Sequence, residues 1–476
     1  MRDNDAFKYE EVADFITGLV ESGTLRLGMK APSLRAVARQ TRTSVTTALQ
    51  AYRQLEDRGV LEARPQSGFY VARGGDGGMD LPACSRPPRQ GVDVTKASSI
   101  HHLLAHAANT KLAPLGCAVP SAAVLASGRL DRFLARAART KSVNYNVYTE
   151  PRGDLALRRE ICRRAARWGQ VLAPEDLAVT CGCTEALFLA LKAVTQPGDL
   201  VAIESPTYFG MLQVLQQLGL KALELPTDAR TGLDVAALAE ALSVQPVKAC
   251  LFSSGFNNPL GCCMPEENKR AVLDLLARHN VPLVEDDVYG DVYFAGNRPR
   301  PFSSFSSAAD VLYCGSFSKT LSPGYRIGWV ASARYMRRIV DSKLAVTLSG
   351  PALPQAAVAD YLASGGFDSH LRRVRRIFAD SLDQMRQAVE AHFPDGTRVS
   401  RPAGGFVLWV EMPAGFDTRA LFAAALDHGI CFAPGDCFTA SDRYTNHLRL
   451  SCGHIWNETI AGAVETLGEL AKAQSQ

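Results

Sequence analysis

The densest chemistry in the chain is the string Ser316-Phe317-Ser318-Lys319-Thr320-Leu321-Ser322-Pro323-Gly324-Tyr325-Arg326-Ile327-Gly328-Trp329. A lysine in a dry pocket can condense with an aldehyde as a Schiff base, and the nearby hydroxyls of Ser316 and Ser318 and the guanidinium of Arg326 suit a phosphate. Upstream, Cys181-Gly182-Cys183-Thr184-Glu185-Ala186 reads as a small-residue turn entering a helix. Backbone N–H groups from Gly182 to Thr184 could meet that same phosphate. Asp286 is a carboxylate able to keep a pyridine nitrogen protonated, Asn258 and Tyr289 can bond a phenolic ring oxygen, and Tyr208 can stack on a ring face. Singly, each has an ordinary structural use, Asp286 as a helix cap and Asn258 as a turn residue. In this order they describe one pocket for a phosphorylated pyridine aldehyde, with Lys319 as its reactive amine.

Something must bring these residues together, and the surrounding sequence supplies it. Short apolar runs, LAVT, LVAIE, ALEL, ACLFS, PLVED, VLYCG and GWVAS, alternate beyond Leu177 with segments of helical character. That pattern predicts an α/β domain with a mostly parallel, doubly wound sheet. Ligands of such sheets gather at the carboxyl ends of the strands, which is where the candidate residues fall.

The first seventy residues read differently. Val12, Phe15, Ile16, Leu19 and Val20 recur at helical spacing up to Ser22-Gly23. Ser33 can cap a short second helix carrying Leu34, Val37 and Ala38 and ending near Thr41. A third helix starts near Ser44, buries Leu49, Tyr52 and Leu55, and stops at Gly59. Two β-prone runs, Val60 to Ala63 and Phe69 to Ala72, flank a turn and predict a wing. This is a winged helix-turn-helix. Arg35, Arg42, Arg53 and Arg64 offer cations to phosphates, Ser44, Thr46 and Thr47 offer hydroxyls at the front of the third helix, and Gly68 sits with Arg64 where a wing could meet the minor groove. The alternative is a protein-binding three-helix unit.

Composition bounds the rest. A chain of 476 residues needs at least two domains. No apolar run reaches the roughly 18 residues of a membrane span, and the opening MRDNDAFKYEEVADF lacks a secretory core, so a cytoplasmic location is expected. The net charge of +4 does not by itself announce a nucleic-acid binder. The 12 cysteines form no CxxC pairs and read as structural thiols, with no metal expected. From Gly74 to about Val94 the text is rich in Gly and Pro, which suits a tether. The expected division is 1–73 for DNA binding, 74–111 as linker and 112–476 for the cofactor.

The stretch PSLRAVARQTRTSVTTALQAYRQLEDRGVLEARPQSGFYV resembles the GntR family of winged-helix repressors. Members commonly place an arginine directly after the serine that opens the recognition helix, and here that position is Val45, with Arg42 three positions earlier. From about Leu112 onward the chain resembles the fold-type I aminotransferases, including the kynurenine and 2-aminoadipate transaminase group, which implies pyridoxal 5'-phosphate and a smaller C-terminal α+β subdomain. By that resemblance Lys319 is the Schiff-base lysine, Asp286 the partner of the pyridine nitrogen, and Arg326 and Ser316 phosphate ligands. Tyr148 resembles the tyrosine that such homodimers lend to the neighbouring subunit's phosphate. Arg449, in Asn446-His447-Leu448-Arg449-Leu450-Ser451, resembles the clamp for a substrate α-carboxylate. Cys183 and Thr184 stand where Ser and Gln are often found.

Joined, the two halves resemble the MocR subfamily of regulators. The resemblance implies a homodimer that binds operator DNA and whose pyridoxal phosphate, held by Lys319, senses an amino acid, an amine or the cofactor itself. The rival is a competent transaminase carrying a DNA-binding domain, in which Lys319 moves the Cα proton of a bound amino acid. A third reading keeps the large domain only for dimerisation, which the retained Lys319, Asp286 and Arg326 oppose.

Overall fold

A computed structural model describes residues 6–475 except 22–23, 26–28, 58–59, 65–67, 72–78, 85, 96, 108, 110, 141–144, 254 and 295. The chain divides into two units, Met1–Asp80 and Leu81–Gln476.

In the first unit, helices Ala6–Glu21, Leu34–Gln40 and Val45–Asp57 precede strands Leu61–Arg64 and Gly68–Val71, paired antiparallel. Val12, Ile16, Val20, Val37, Tyr52, Leu55, Leu61 and Val71 close one core. The Ser33 hydroxyl accepts from the Ala36 amide at 3.2 Å, which starts the second helix where a side-chain oxygen can take an orphan N–H. Tyr52 fixes the third helix twice, donating its hydroxyl to the Pro32 carbonyl at 2.7 Å and meeting the Phe69 ring edge-on at 5.1 Å. The wing strands lie one residue from the expected runs, and the turn at 65–67 and the stop at Gly59 fall outside the described residues.

All seven apolar runs of the second unit form strands of one sheet, nine-stranded among the described residues. Its order is Val92–Asp93, Lys221–Asp228, Leu200–Ser205, Val247–Phe252, Leu283–Asp286, Val311–Ser316, Gly328–Ala331 and Leu177–Thr180, with Gly232–Leu233 paired outside that path. The central pairs run parallel, whereas Gly328–Ala331 lies antiparallel to both its neighbours. Leu177–Thr180 and Leu200–Ser205 are buried at every residue, as expected for strands covered on both faces. The helix Cys183–Val194 seals one side with Leu187, Leu191 and Val194, and Leu238, Val272 and Leu276 belong to a second core cluster.

Residues 398–451 add a four-stranded antiparallel sheet, Arg398–Val399, Val407–Glu411, His447–Ser451 and Ala433–Pro434. Val92–Asp93 and the helix Ala97–Ala107 are part of the second unit. No described helix is long and apolar enough to cross a membrane.

Candidate functional site

The sheet delivers the candidate side chains from its carboxyl edge. Asp286 is the last residue of Leu283–Asp286, Ser316 the last of Val311–Ser316, and Gly182 follows Leu177–Thr180 by two residues. Gly182 has φ +85°, a left-handed value that favours glycine, and a Cβ there would collide with the Arg326 guanidinium. Gly328 needs the same economy, because a Cβ would strike the Gly182 backbone. The turn therefore passes close against Arg326, which donates to the Cys181 carbonyl at 2.8 Å.

Lys319 stands at the centre. Its ammonium donates to the Ala118 carbonyl at 2.6 Å and lies 5.9 Å from the centroid of the Tyr289 ring. Burial, and then the charge of Arg449, push its pKa down to about 8, while Cys117 and Asp286 work the other way. Asp286 is 6% exposed and burial raises its pKa to about 6, against the Cys183 thiol at 3.5 Å and the Val288 amide at 3.2 Å. A cation beside it would favour its ionised form.

Arg449, mid-strand in His447–Ser451, is fully buried. It donates to the Asn258 side-chain oxygen at 3.3 Å and to the Gly116 carbonyl, and its guanidinium sits 5.3 Å from the Phe438 ring centroid. Burial lowers its pKa, and its Nε has no partner. Two further buried polar atoms of the candidate site residues are unpartnered, the Tyr289 hydroxyl and Ser318 Oγ. Burial drives the Tyr289 pKa upward, with the charge of Arg449 pulling against it, and pushes Tyr208 up to about 12. Orphaned buried donors are costly, so three of them around one lysine mark a place shaped for a polar ligand.

Lys319, Asp286, Tyr289, Asn258, Tyr208, Cys183 and Arg449 thus share one pocket, linked by the contacts and charge couplings above. Ser316 is buried and accepts from the Ser318 amide at 3.3 Å. Thr184 and Arg326 are exposed. Tyr148 projects away from its own unit, 83% exposed. One expectation is corrected: the Gly182 N–H donates to the Thr180 carbonyl at 2.9 Å, so its amide is occupied. Gly182 contributes its missing side chain, and the first amides of the helix that begins at Cys183 remain as anion donors.

Sequence reasoning missed the loop Gly116-Cys117-Ala118, whose carbonyls hold Arg449 and Lys319. It also missed Glu204, which is buried, has its pKa raised by burial to about 8, and accepts from the Ser253 amide and the Asn257 side chain at 2.7 and 3.1 Å. A carboxylate ending the apolar run LVAIE was the available signal.

In the first unit Arg35, Arg42, Arg53, Ser44 and Thr46 are exposed, and Thr47 is half-buried. Ser44 Oγ accepts from the Thr47 amide at 3.0 Å and pairs with its hydroxyl at 2.8 Å, so both residues first build the N-cap of the third helix. Arg42 takes φ +53° in the turn between the second and third helices, and Val45, three positions on, is 47% exposed. Gly68 opens the second wing strand at φ +102° with Lys30 against it. The side chain of Arg64 lies outside the described residues.

A winged helix and an aminotransferase-type cofactor pocket therefore occupy one chain. Residues 122–467 match the family "Aminotransferase class I and II" and residues 8–71 the family "Bacterial regulatory proteins, gntR family". The uncharacterized HTH-type transcriptional regulator YdcR of Escherichia coli K12 is 36% identical over 463 residues, 97% of this chain and 98% of its own length. Among solved structures, kynurenine aminotransferase of Pyrococcus horikoshii superposes with a TM-score of 0.75 at 26% identity, covering 80% of this chain and 96% of that one. LysN, the alpha-aminoadipate aminotransferase of Thermus thermophilus solved with N-(5'-phosphopyridoxyl)-L-leucine, gives 0.72 at 30% identity with the same coverage. The chain belongs to the MocR-type HTH transcriptional regulators, which join a gntR domain to a class I and II aminotransferase domain, and its cofactor is pyridoxal 5'-phosphate.

Proposed function

We propose that this chain regulates transcription by reading an amine-bearing ligand through a pyridoxal phosphate site and passing the result to a winged helix-turn-helix. Residues 1–73 bind operator DNA and 112–476 hold the cofactor, while of the joining residues 74–111 those from Leu81 onward, with Val92–Asp93 and the helix Ala97–Ala107, fold with the second unit. The observation that carries this reading is Arg449, a buried guanidinium with an unpartnered Nε, beside the depressed amine of Lys319. One of these groups suits a carboxylate and the other a carbonyl.

When bound, pyridoxal phosphate supplies an electrophilic carbonyl and a protonated pyridine ring that withdraws electrons from it. Lys319 would hold the carbonyl carbon, and Asp286 a proton at the ring nitrogen. Ser316, Ser318, Arg326 and the amides of Cys183 and Thr184 would bind the phosphate, with Tyr148 of a second copy completing it. Asn258 and Tyr289 would orient the ring oxygen, and Tyr208 would cover the ring face. The exposure of Tyr148 supports a homodimer, and DNA binding supports a cytoplasmic location.

Ligand binding changes DNA affinity only where the ligand binds two states of the dimer unequally. The test titrates the purified chain with amino acids and amines while following both its visible spectrum and its affinity for a duplex selected by the protein from random DNA. A ligand that shifts both, in the wild type and not in Lys319→Ala, is the effector. Shifts in the spectrum alone across all ligands refute the coupling. The second reading, a working transaminase, is favoured by the completeness of the pocket and requires steady-state turnover of about one per second or faster on some amino donor.

A further inference from the structure

None of the cofactor-site residues lines a second, open cavity of about 810 Å³ in the large unit. Three stretches of chain meet there and bring six arginines to its wall: Arg164, Arg167, Arg298, Arg300, Arg372 and Arg375. Against them stand two lining carboxylates, Asp291 and Asp368.

Both carboxylates are already engaged. Asp368 accepts from Arg164 at 2.9 Å and from Arg167 at 2.7 Å, while Asp291 accepts from Arg298 at 3.0 Å and from Arg164 at 3.3 Å. Burial works to raise their pKa values, yet the surrounding guanidinium groups hold both below the usual carboxylate range. Arg298 spends a further donor on Asp287, outside the cavity. Arg300 reaches Glu266 only at 3.9 Å. Arg372 has the Ser369 hydroxyl at 2.9 Å as its partner and Arg375 the Asp291 carbonyl at 2.7 Å, and among the described residues neither has a carboxylate within 4 Å.

The cluster therefore carries more positive charge than its own carboxylates balance, and like charges gathered in one concavity repel. Two of the groups are held in plane by aromatic faces, Arg298 over Trp168 at 3.8 Å and Arg375 over Tyr293 at 3.7 Å, which reduces the rotamer freedom lost on binding. Guanidinium forks match the oxygens of phosphate, and the volume falls within the roughly 300–1,000 Å³ of small-molecule sites.

We propose that this cavity is a second ligand site, separate from the cofactor pocket, for a small molecule bearing two or more phosphate groups. The same chemistry is offered by a nucleic-acid backbone, so the experiment has two arms. Calorimetry of the purified full chain uses inorganic tripolyphosphate in one arm and a random-sequence DNA duplex in the other. The variants are Arg167→Gln and Arg372→Gln, both exposed side chains, with Arg278→Gln as an exposed control of equal charge and Arg326→Gln as the control for the cofactor's phosphate site.

Saturable tripolyphosphate binding is expected in the wild type, weakened about tenfold by each cavity variant, which is about 1.4 kcal/mol, and further by both together. Arg278→Gln leaves it unchanged. The proposal is overturned by absence of saturable binding in the wild type, or by a loss in Arg278→Gln as large as in the cavity variants. It is equally overturned by loss in Arg326→Gln, which assigns the anion to the cofactor pocket. It also fails where the cavity variants weaken only the DNA duplex, which makes the cavity a DNA contact.

Discussion

Lys319 is expected to capture pyridoxal phosphate with a pH profile that an ordinary lysine cannot produce. Only the unprotonated amine attacks a carbonyl, so the rate follows the neutral fraction. Burial and the charge of Arg449 bring the pKa from 10.5 to about 8. The neutral fraction is then about 1% at pH 6, about half at pH 8 and about 90% at pH 9, whereas an unperturbed lysine passes from about 0.3% at pH 8 to about 3% at pH 9. Between pH 8 and 9 the capture rate should rise by less than about twofold, against about tenfold for the unperturbed group. Stopped-flow absorbance after mixing the cofactor-free chain with pyridoxal phosphate reads the rate. A steady tenfold climb for each pH unit through pH 9 would show that the pocket does not desolvate this amine, and would refute the reasoning.

Arg449→Gln should weaken binding of an α-amino acid by about 100-fold, the loss of a buried bidentate contact, and leave an amine without a carboxylate little changed; spectral titration separates them, and equal losses would remove the clamp. Ser44→Ala deletes the cap of the third helix and should cost about 1 kcal/mol in the unfolding of the first unit, followed by denaturant melts. Replacing Arg35 and Arg53 by Gln should flatten the dependence of log K on log salt for a random-sequence duplex by about 0.9 per arginine that meets a phosphate, and an unchanged slope would move the DNA surface elsewhere. Glu204 takes up protons on folding, since burial raises its pKa from 4.5 to about 8. The native state binds more protons than the unfolded chain across that window, so this residue's contribution to stability falls as pH rises through it. Glu204→Gln should make the denaturation midpoint measurably less pH-dependent between pH 5 and 8.

What could be read in advance divides along physical lines. The strands were legible because a parallel strand covered on both faces must be apolar at nearly every residue, as in Leu200–Ser205. Lys319, Asp286 and Arg449 were legible because their side-chain types carry the chemistry. Gly116 and Ala118 were not, since they act through backbone carbonyls that any residue supplies. The occupied amide of Gly182 is hidden for the same reason. Val92–Asp93 is too short to show a period within Gly- and Pro-rich text. The six-arginine cavity escaped because its residues arrive from three distant stretches, each reading alone as ordinary surface charge.

The central claim is that the amine of residue 319 engages the cofactor. Its most direct measurement is the visible absorption of the full chain after incubation with pyridoxal phosphate and removal of the excess, for wild type and Lys319→Ala side by side. Retained colour in the wild type and none in the variant is the expected result. A colourless wild type, or a variant with the same spectrum, would contradict it.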